Sequence, residues 1–376
     1  MKYYIISGEA SGDLHGSNLV KQIYLLDHQA DIRCWGGDLM QSAGASLVKH
    51  YKELAFMGFA EVVKNLPTIL QNIDFCKQDI LAWQPDVLIL IDYPGFNLRI
   101  AEWGSKKGFK IVYYISPQVW AWKENRVKKM KQYIHKMLCI LPFEKDYYKT
   151  KWDWEVDYVG HPLVEVIEAK KADPNPTPPL AGQTNNLIAL LPGSRKQEIA
   201  KKLPIMLEVA KSFPDYRFVV AKAPGLENAF YEPFMAAYQN VDSVRNKTYD
   251  LLLTAKAALV TSGTATLETA LFGVPEVVCY KGSNISYQIA KRLIKIKYIS
   301  LVNLIMDKEV VKELIQEELT STNLVKELTS LLTNESKKEE LQKNYTDLKE
   351  LLSAGGHASA QAAKIIYDYL KPTAKS

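Results

Sequence analysis

An apolar run that closes in a tight, small-residue turn and then gives way to helix formers restricts the fold of this chain more than any other feature. It is clearest at Ala257-Ala258-Leu259-Val260, followed by Thr261-Ser262-Gly263-Thr264 and Ala265-Thr266-Leu267-Glu268, with Gly273 and Pro275 ending the helix. A helix entered through small residues presents unpaired N–H groups and the positive end of its dipole, a receptor for an anion such as a diphosphate. The stretch reads equally as an ordinary strand-to-helix turn with Thr264 as N-cap. Upstream, Leu190-Leu191-Pro192-Gly193-Ser194-Arg195, leading into Lys196-Gln197-Glu198-Ile199, repeats the arrangement and adds a guanidinium beside the turn.

The first half follows the same rule. Lys2–Ser7 reads as a strand, and Gly8-Glu9-Ala10-Ser11-Gly12-Asp13 as a small-residue loop opening a helix near Leu14 or His15, with Asp13 as its cap. The loop is not GxGxxG, so a nicotinamide fingerprint is absent. Glu9, a carboxylate in a glycine-rich turn at a strand's carboxyl end, is expected to hold a sugar hydroxyl. Asp86–Ile91 is a buried strand, and Asp92-Tyr93-Pro94-Gly95-Phe96-Asn97 follows at its carboxyl end, where open parallel sheets bind ligands. Asp92 reads either as a catalytic base or as a cap for a helix starting near Phe96. Further strands lie at Lys110–Ile115, Lys136–Leu141 and Val156–Val159. His161, at the last of these, reads as a histidine bridging two domains or as a hydrogen-bonded structural one.

A chain of 376 residues exceeds one typical core, and Pro174, Pro176, Pro178 and Pro179 mark an exposed linker within 171–186. Beyond it strands recur near Leu187–Leu191, Arg217–Val220, Ala257–Thr261 and Val277–Tyr280, and from Glu313 the chain reads as helical. The expected fold is α/β, two Rossmann-like domains facing a cleft: 1–170, the linker 171–186, and 187–350, with a C-terminal helix in 351–376. A net charge of +5 falls well short of a nucleic-acid signature. Cys34, Cys76, Cys139 and Cys279 are scattered in apolar runs, as buried thiols of a reducing compartment would be, and no metal-ligand spacing appears. With neither a membrane-length apolar run nor a signal-peptide pattern at the N-terminus, the chain is placed in the cytoplasm.

Three segments suit contact with lipid. Met57–Leu70, with Met57, Phe59, Val62, Val63, Leu66 and Ile69 among its apolar positions, reads as core or as a lipid-facing surface. Trp120 and Trp122 precede Lys123, Arg126, Lys128, Lys129 and Lys131, which suits an anionic headgroup zone or a solvated helix packed by its indoles. Ser286–Lys297 has the pattern of a basic amphipathic helix.

In order, Gly8–Asp13, Met57-Gly58 with Glu61-Val62, Pro85–Asn97, Ser116-Pro117-Gln118-Val119-Trp120-Ala121-Trp122, Leu141–Glu144, Gly160-His161-Pro162, Leu191–Arg195 with Glu198-Ile199, and Ser262–Glu268 span most of the chain. Together they resemble the lipid-A-disaccharide synthases, glycosyltransferases of the GT-B fold. The resemblance implies inverting transfer of a diacylated glucosamine from UDP to a diacylated glucosamine 1-phosphate, with no cofactor or metal, at the cytoplasmic face of the inner membrane. Under it Asp92 takes the acceptor's proton, with Glu9 beside it. Ser194, Arg195, Ser262, Gly263, Thr264 and Ala265 hold the diphosphate, Glu268 clasps the ribose, and Asn303 lies near the same site. Relatives often carry an acid where this chain has Gly95, and a proline where it has Val302. A UDP-sugar 2-epimerase on the same fold, needing no lipid surface, is the alternative.

Overall fold

The computed structural model describes residues 1–54, 66–174, 178–180, 186–282 and 297–371, with the Leu66 side chain left aside. The chain divides into two compact units, Met1–Pro162 with Leu352–Ser376, and Leu163–Leu351.

In the first unit the strands are β1 (Lys2–Ile6), β2 (Asp31–Gly36), β3 (Ser46–His50), β4 (Val87–Ile91), β5 (Lys110–Tyr114), β6 (Lys136–Cys139) and β7 (Asp157–Tyr158). They lie in the order β3-β2-β1-β4-β5-β6-β7, all parallel. Alternate residues feed two separate cores: Tyr4, Ile6, Leu88 and Leu90 on one face, Tyr3, Ile5, Val87 and Ile89 on the other. Helices cover both faces, which is why β4 is an unbroken apolar run rather than an alternating one.

The C-terminal helix Ala358–Leu370 belongs to this unit, setting Ala362, Ala363 and Ile366 against Leu19, Val20 and Ile23 of the helix Ala10–Leu26. The glycine pair before it permits contact of backbone with backbone. A Cβ on Gly355 would stand 2.2 Å from the Gly160 nitrogen. The His161 N–H and the Tyr158 hydroxyl both donate to the Leu352 carbonyl, at 3.0 and 3.2 Å.

The second unit has β8 (Leu187–Leu191), β9 (Arg217–Lys222), β10 (Val241–Arg245), β11 (Ala255–Thr261), β12 (Glu276–Tyr280) and β13 (Lys312–Ile315), in the order β10-β9-β8-β11-β12-β13 and again parallel. Each sheet reverses its winding once, between β1 and β4 and between β8 and β11. The loops leaving the two strands part there in opposite directions and open a crevice at the strands' carboxyl ends.

The structure corrects several expectations. β2, β3, β10 and β13 were not anticipated; the last three are edge strands whose residues are mostly half-exposed, so no continuous apolar run announces them. Lys312–Ile315 thus interrupts a stretch read as helical. The boundary between units falls at Pro162/Leu163 rather than at 170. The helix Pro162–Lys171 is tied to the second unit by a 2.7 Å ion pair from Lys170 to Asp250 and a 2.7 Å bond from Lys171 to the Leu271 carbonyl. In the proline-rich stretch 171–186, residues 175–177 and 181–185 lie outside the described residues. All four cysteines are buried. Among the described residues no helix is long and apolar enough to cross a membrane.

Candidate active site

At the first sheet's switch point, β1 ends in Ser7-Gly8-Glu9 and β4 in Asp92-Tyr93. The backbone at the second turn is strained: Asp92 and Tyr93 both take left-handed conformations, with φ of 43° and 49°. Such residues cost on the order of 1–3 kcal/mol each and persist only where the surroundings hold them. Here the Asp92 carbonyl accepts the Tyr113 hydroxyl at 2.6 Å and Asn97 Nδ2 at 2.8 Å, and the Asp92 N–H donates to the Tyr114 carbonyl at 3.0 Å. The Tyr93 ring stacks on Phe96, and it lies so close to Gly8 that a Cβ there would meet it at 2.4 Å. The carbonyl and N–H are thus fixed, and the carboxylate accepts the Tyr93 N–H. Burial raises its pKa to about 6, and the negative charge of Glu9 adds to the shift.

Glu9 is the N-cap residue of the helix Ala10–Leu26, exposed, with no capping bond from its side chain. The helix starts earlier than expected, and Asp13 does not cap it. The Asp13 carboxylate instead accepts N–H groups of Gly37, Leu39 and Met40 at 2.7–3.1 Å, capping the next short helix, Asp38–Ser42. Asp92 is not a cap either, because the helix Pro94–Lys106 has Tyr93 at its N-cap.

In the second unit, a cavity of about 280 Å³ opens at the switch point. Gly193 and Ser194 line it from the loop after β8, and Ser262, Gly263, Thr264, Ala265 and Glu268 from the turn after β11. Gly263, with φ of 145°, is the N-cap of the helix Thr264–Phe272, so Thr264 is its first residue rather than its cap. Gly193 has φ of 115°. Both conformations favour glycine, and Thr264 and Ala265, whose N–H groups have no acceptor earlier in the helix, line the cavity. Ser262 Oγ is engaged with the Ile299 carbonyl at 2.8 Å. Glu268 is held by the Tyr249 hydroxyl at 2.7 Å, and burial raises its pKa.

Two of the donor-site candidates do not line this cavity. Arg195 is not in the lining: its guanidinium is largely exposed and pairs with Glu198 at 3.3 Å. Asn303 is buried and saturated, its amide donating to the Val311 carbonyl and Glu313 and accepting the N–H groups of Val310 and Val311. The Asn303 side chain thus secures the chain entering β13, with its amide fully engaged.

Sequence reasoning missed Lys222, Tyr249 and Lys202. Lys222 lines the cavity. Lys202 is buried, donates to Thr261 Oγ1 and lies beneath Gly193; burial lowers its pKa. Its helical spacing with Ile199, Leu203 and Met206 was the available signal.

Of the lipid-contact candidates, Trp120 is half-buried and donates to the buried Glu144 at 3.2 Å, an internal role. Trp122 is 51% exposed, with Lys123 Nζ 4.3 Å from its ring centre. Ile69 packs on the first unit's core. Met57, Phe59, Val62 and Val63 lie outside the described residues, as do the Leu66 side chain and most of Ser286–Lys297. His161 is buried, and burial, with His15 beside it, lowers its pKa to about 3.

The family model for lipid-A-disaccharide synthetase matches residues 3–366. The chain belongs to that family. Curated relatives agree: the lipid-A-disaccharide synthase of Geobacter metallireducens is 37% identical over 372 residues, covering 97% of this chain and 96% of its own. Lipid-A-disaccharide synthase 1 of Legionella pneumophila is 37% identical over 372 residues, covering 97% and 95%. Among solved structures, a kitacinnamycin glycotransferase aligns at TM-score 0.69 and 14% identity, over 98% of this chain and 99% of that one. A putative UDP-N-acetylglucosamine 2-epimerase from Listeria monocytogenes aligns at 0.67 and 12%, over 98% and 95%. At those identities the likeness shows the α/β fold of two parallel sheets and nothing of the reaction.

Proposed function

We propose that this family member is an inverting glycosyltransferase that moves 2,3-diacylglucosamine from UDP to 2,3-diacylglucosamine 1-phosphate, giving the lipid A disaccharide 1-phosphate and UDP. The observation that carries the reading is the Asp92 turn. A carboxylate on a strained, doubly left-handed bend, with its pKa raised to about 6, is a base poised near neutral pH. Asp92 takes the proton of the acceptor's primary hydroxyl as the oxygen attacks the anomeric carbon from the face opposite UDP. Glu9 keeps the Asp92 proton affinity high and orients a sugar hydroxyl.

Departing UDP carries the charge that must be stabilised on the other side. The N–H groups of Gly263, Thr264 and Ala265, with Ser194, receive the diphosphate, and Glu268 accepts the ribose hydroxyls. Arg195 releases Glu198 and swings to the diphosphate when UDP is bound. The donor is already activated, so no cofactor enters. Trp122, with Lys123 and Lys128 after it, meets the anionic surface that presents both lipid substrates. The test is mass-spectrometric detection of an acylated disaccharide phosphate from the two acylated substrates. Its absence, with turnover of UDP-N-acetylglucosamine in its place, would reverse the assignment.

A further inference from the structure

A second cavity, of about 470 Å³, lies wholly within the first unit, between the helices Pro94–Lys106 and Arg126–Tyr133. Leu98, Met130 and Ile134 give it apolar walls, while Arg99, Arg126 and Lys129 supply three cations at its lining. The one carboxylate of the lining, Glu102, pairs with Lys106 at 2.7 Å and is also within range of the Lys129 charge, which leaves Arg99 and Arg126 without a carboxylate in the lining. Arg99 and Lys129 are exposed and Arg126 is half-buried, so the three cations ring the mouth of an apolar hollow, an arrangement complementary to an anionic amphiphile.

The cavity adjoins the proposed base. Pro94 and Gly95 line one end, directly after the Asp92-Tyr93 bend, and at 1.5 Å of rise per residue Leu98 and Arg99 stand only about 6 Å further along that helix. A Cβ on Gly95 would meet nothing within 4 Å, so this end is open. The Tyr113 phenol that holds the Asp92 carbonyl is pushed well up by burial, further up by the Asp92 charge, and down by the Arg126 guanidinium. Arg126 and Asp92 therefore stand within electrostatic range of one hydroxyl.

From this arrangement we infer that the cavity is the seat of the acceptor's phosphate, which Arg126, Lys129 and Arg99 bind while Leu98, Met130 and Ile134 receive the first part of an acyl chain. The inference rests on the reading of Asp92 as the acceptor-side base and adds where the rest of that substrate lies. Guanidinium and ammonium groups on a phosphate are charge-assisted donors, and a good pair is commonly worth tenfold or more in affinity. The phosphate would fix the sugar from one side while Asp92 meets its hydroxyl on the other.

The test uses the full chain, an acceptor with acyl chains short enough to disperse in water, and the same acceptor lacking its phosphate. Wild type and Arg126→Met/Lys129→Met are compared for kcat and KM, and for sedimentation with phosphatidylglycerol vesicles. The expected result is a KM for the phosphorylated acceptor raised about tenfold or more in the double variant, with kcat and the UDP-sugar KM within about twofold. On the dephosphorylated acceptor the two proteins should be alike. An unchanged KM with loss of vesicle binding would overturn the inference and make the cavity a membrane-headgroup site. Should wild type form no disaccharide, the enzymatic reading fails separately, and titration with dodecyl phosphate decides the site. Binding lost in the double variant supports it, and no binding to wild type refutes it.

Discussion

The two units share a plan and differ in what they place at the point where it reverses. Both are parallel sheets wound outward in two directions from a central pair of strands, and in both the loops after that pair form the candidate site. In the first unit these loops carry two carboxylates, the exposed Glu9 and, on a strained bend, Asp92, which burial makes reluctant to ionise. In the second they carry glycines, hydroxyls and the start of a helix, with lysines beneath and beside them. On the proposed reading, one backbone arrangement is loaded once as a proton acceptor and once as an anion receptor. Topology locates a site, and only side chains say what it does.

The largest expected effect lies on the acidic side. Asp92→Asn should lower turnover by about 10²–10⁴-fold, read as disaccharide formed per enzyme by mass spectrometry. The same change should stabilise the fold. The folded-state pKa of Asp92, about 6, lies above its ordinary 3.8, so its ionisation costs stability progressively as the pH rises from about 3.8 to about 6 and the full cost stands at pH 8; removing the charge should gain between about 1 and 3 kcal/mol in urea unfolding there. A loss of stability in that variant would mean that the bend is not held in the way described.

The next effect is on pH. A base with a pKa of about 6 should make kcat/KM fall about tenfold per unit below pH 6 and level off above it. Removing the charge next to it with Glu9→Gln should move that inflection downward.

Glycine substitutions should then separate the two sites. Gly263→Ala places a side chain at φ of 145° and should cost about 1–3 kcal/mol of stability and weaken UDP binding, measured by calorimetry. Gly95→Ala, in the first unit, meets nothing within 4 Å and should leave stability unchanged or slightly improved. A smaller effect is expected of Glu268→Gln, which should weaken UDP by about tenfold, with Tyr249→Phe weaker still because it removes only the bond that orients the carboxylate.

The smallest expected effect at neutral pH concerns the buried pair His15 and His161. Burial lowers their pKa values to about 4 and about 3. The unfolded chain takes up those protons near pH 6.5 and the folded chain does not, so stability should decline as pH falls below about 6.5. The double variant His15→Gln/His161→Gln should flatten that slope in the first unit.

What was legible in the sequence follows from burial. Strands such as Val87–Ile91 and Leu187–Leu191, covered on both faces, show as apolar runs, whereas β3, β10 and β13 at the edges do not. Motif residues at strand ends, Asp92, Ser194 and Gly263 among them, were placed because sheet topology fixes where such ends meet. Asp13 was misassigned, and the partners of Asn303 went unforeseen, because a polar side chain's partner is set by a neighbouring element. Asp13 reaches another helix, and Asn303 a strand's edge. No spacing along one chain segment encodes those distances. Lys202 was missed for a related reason: lysine on an inward helical face violates the pattern from which cores are read.

The division of labour itself is tested most directly by titrating UDP, in a calorimeter, into wild type, Asp92→Asn and Gly263→Ala. Asp92→Asn, with turnover lowered about 10²–10⁴-fold, should bind UDP within about twofold of wild type, while Gly263→Ala should bind it about tenfold or more weakly. If Asp92→Asn lost UDP affinity to the same degree as turnover, or Gly263→Ala kept it, the assignment of proton transfer to one unit and diphosphate to the other would be contradicted.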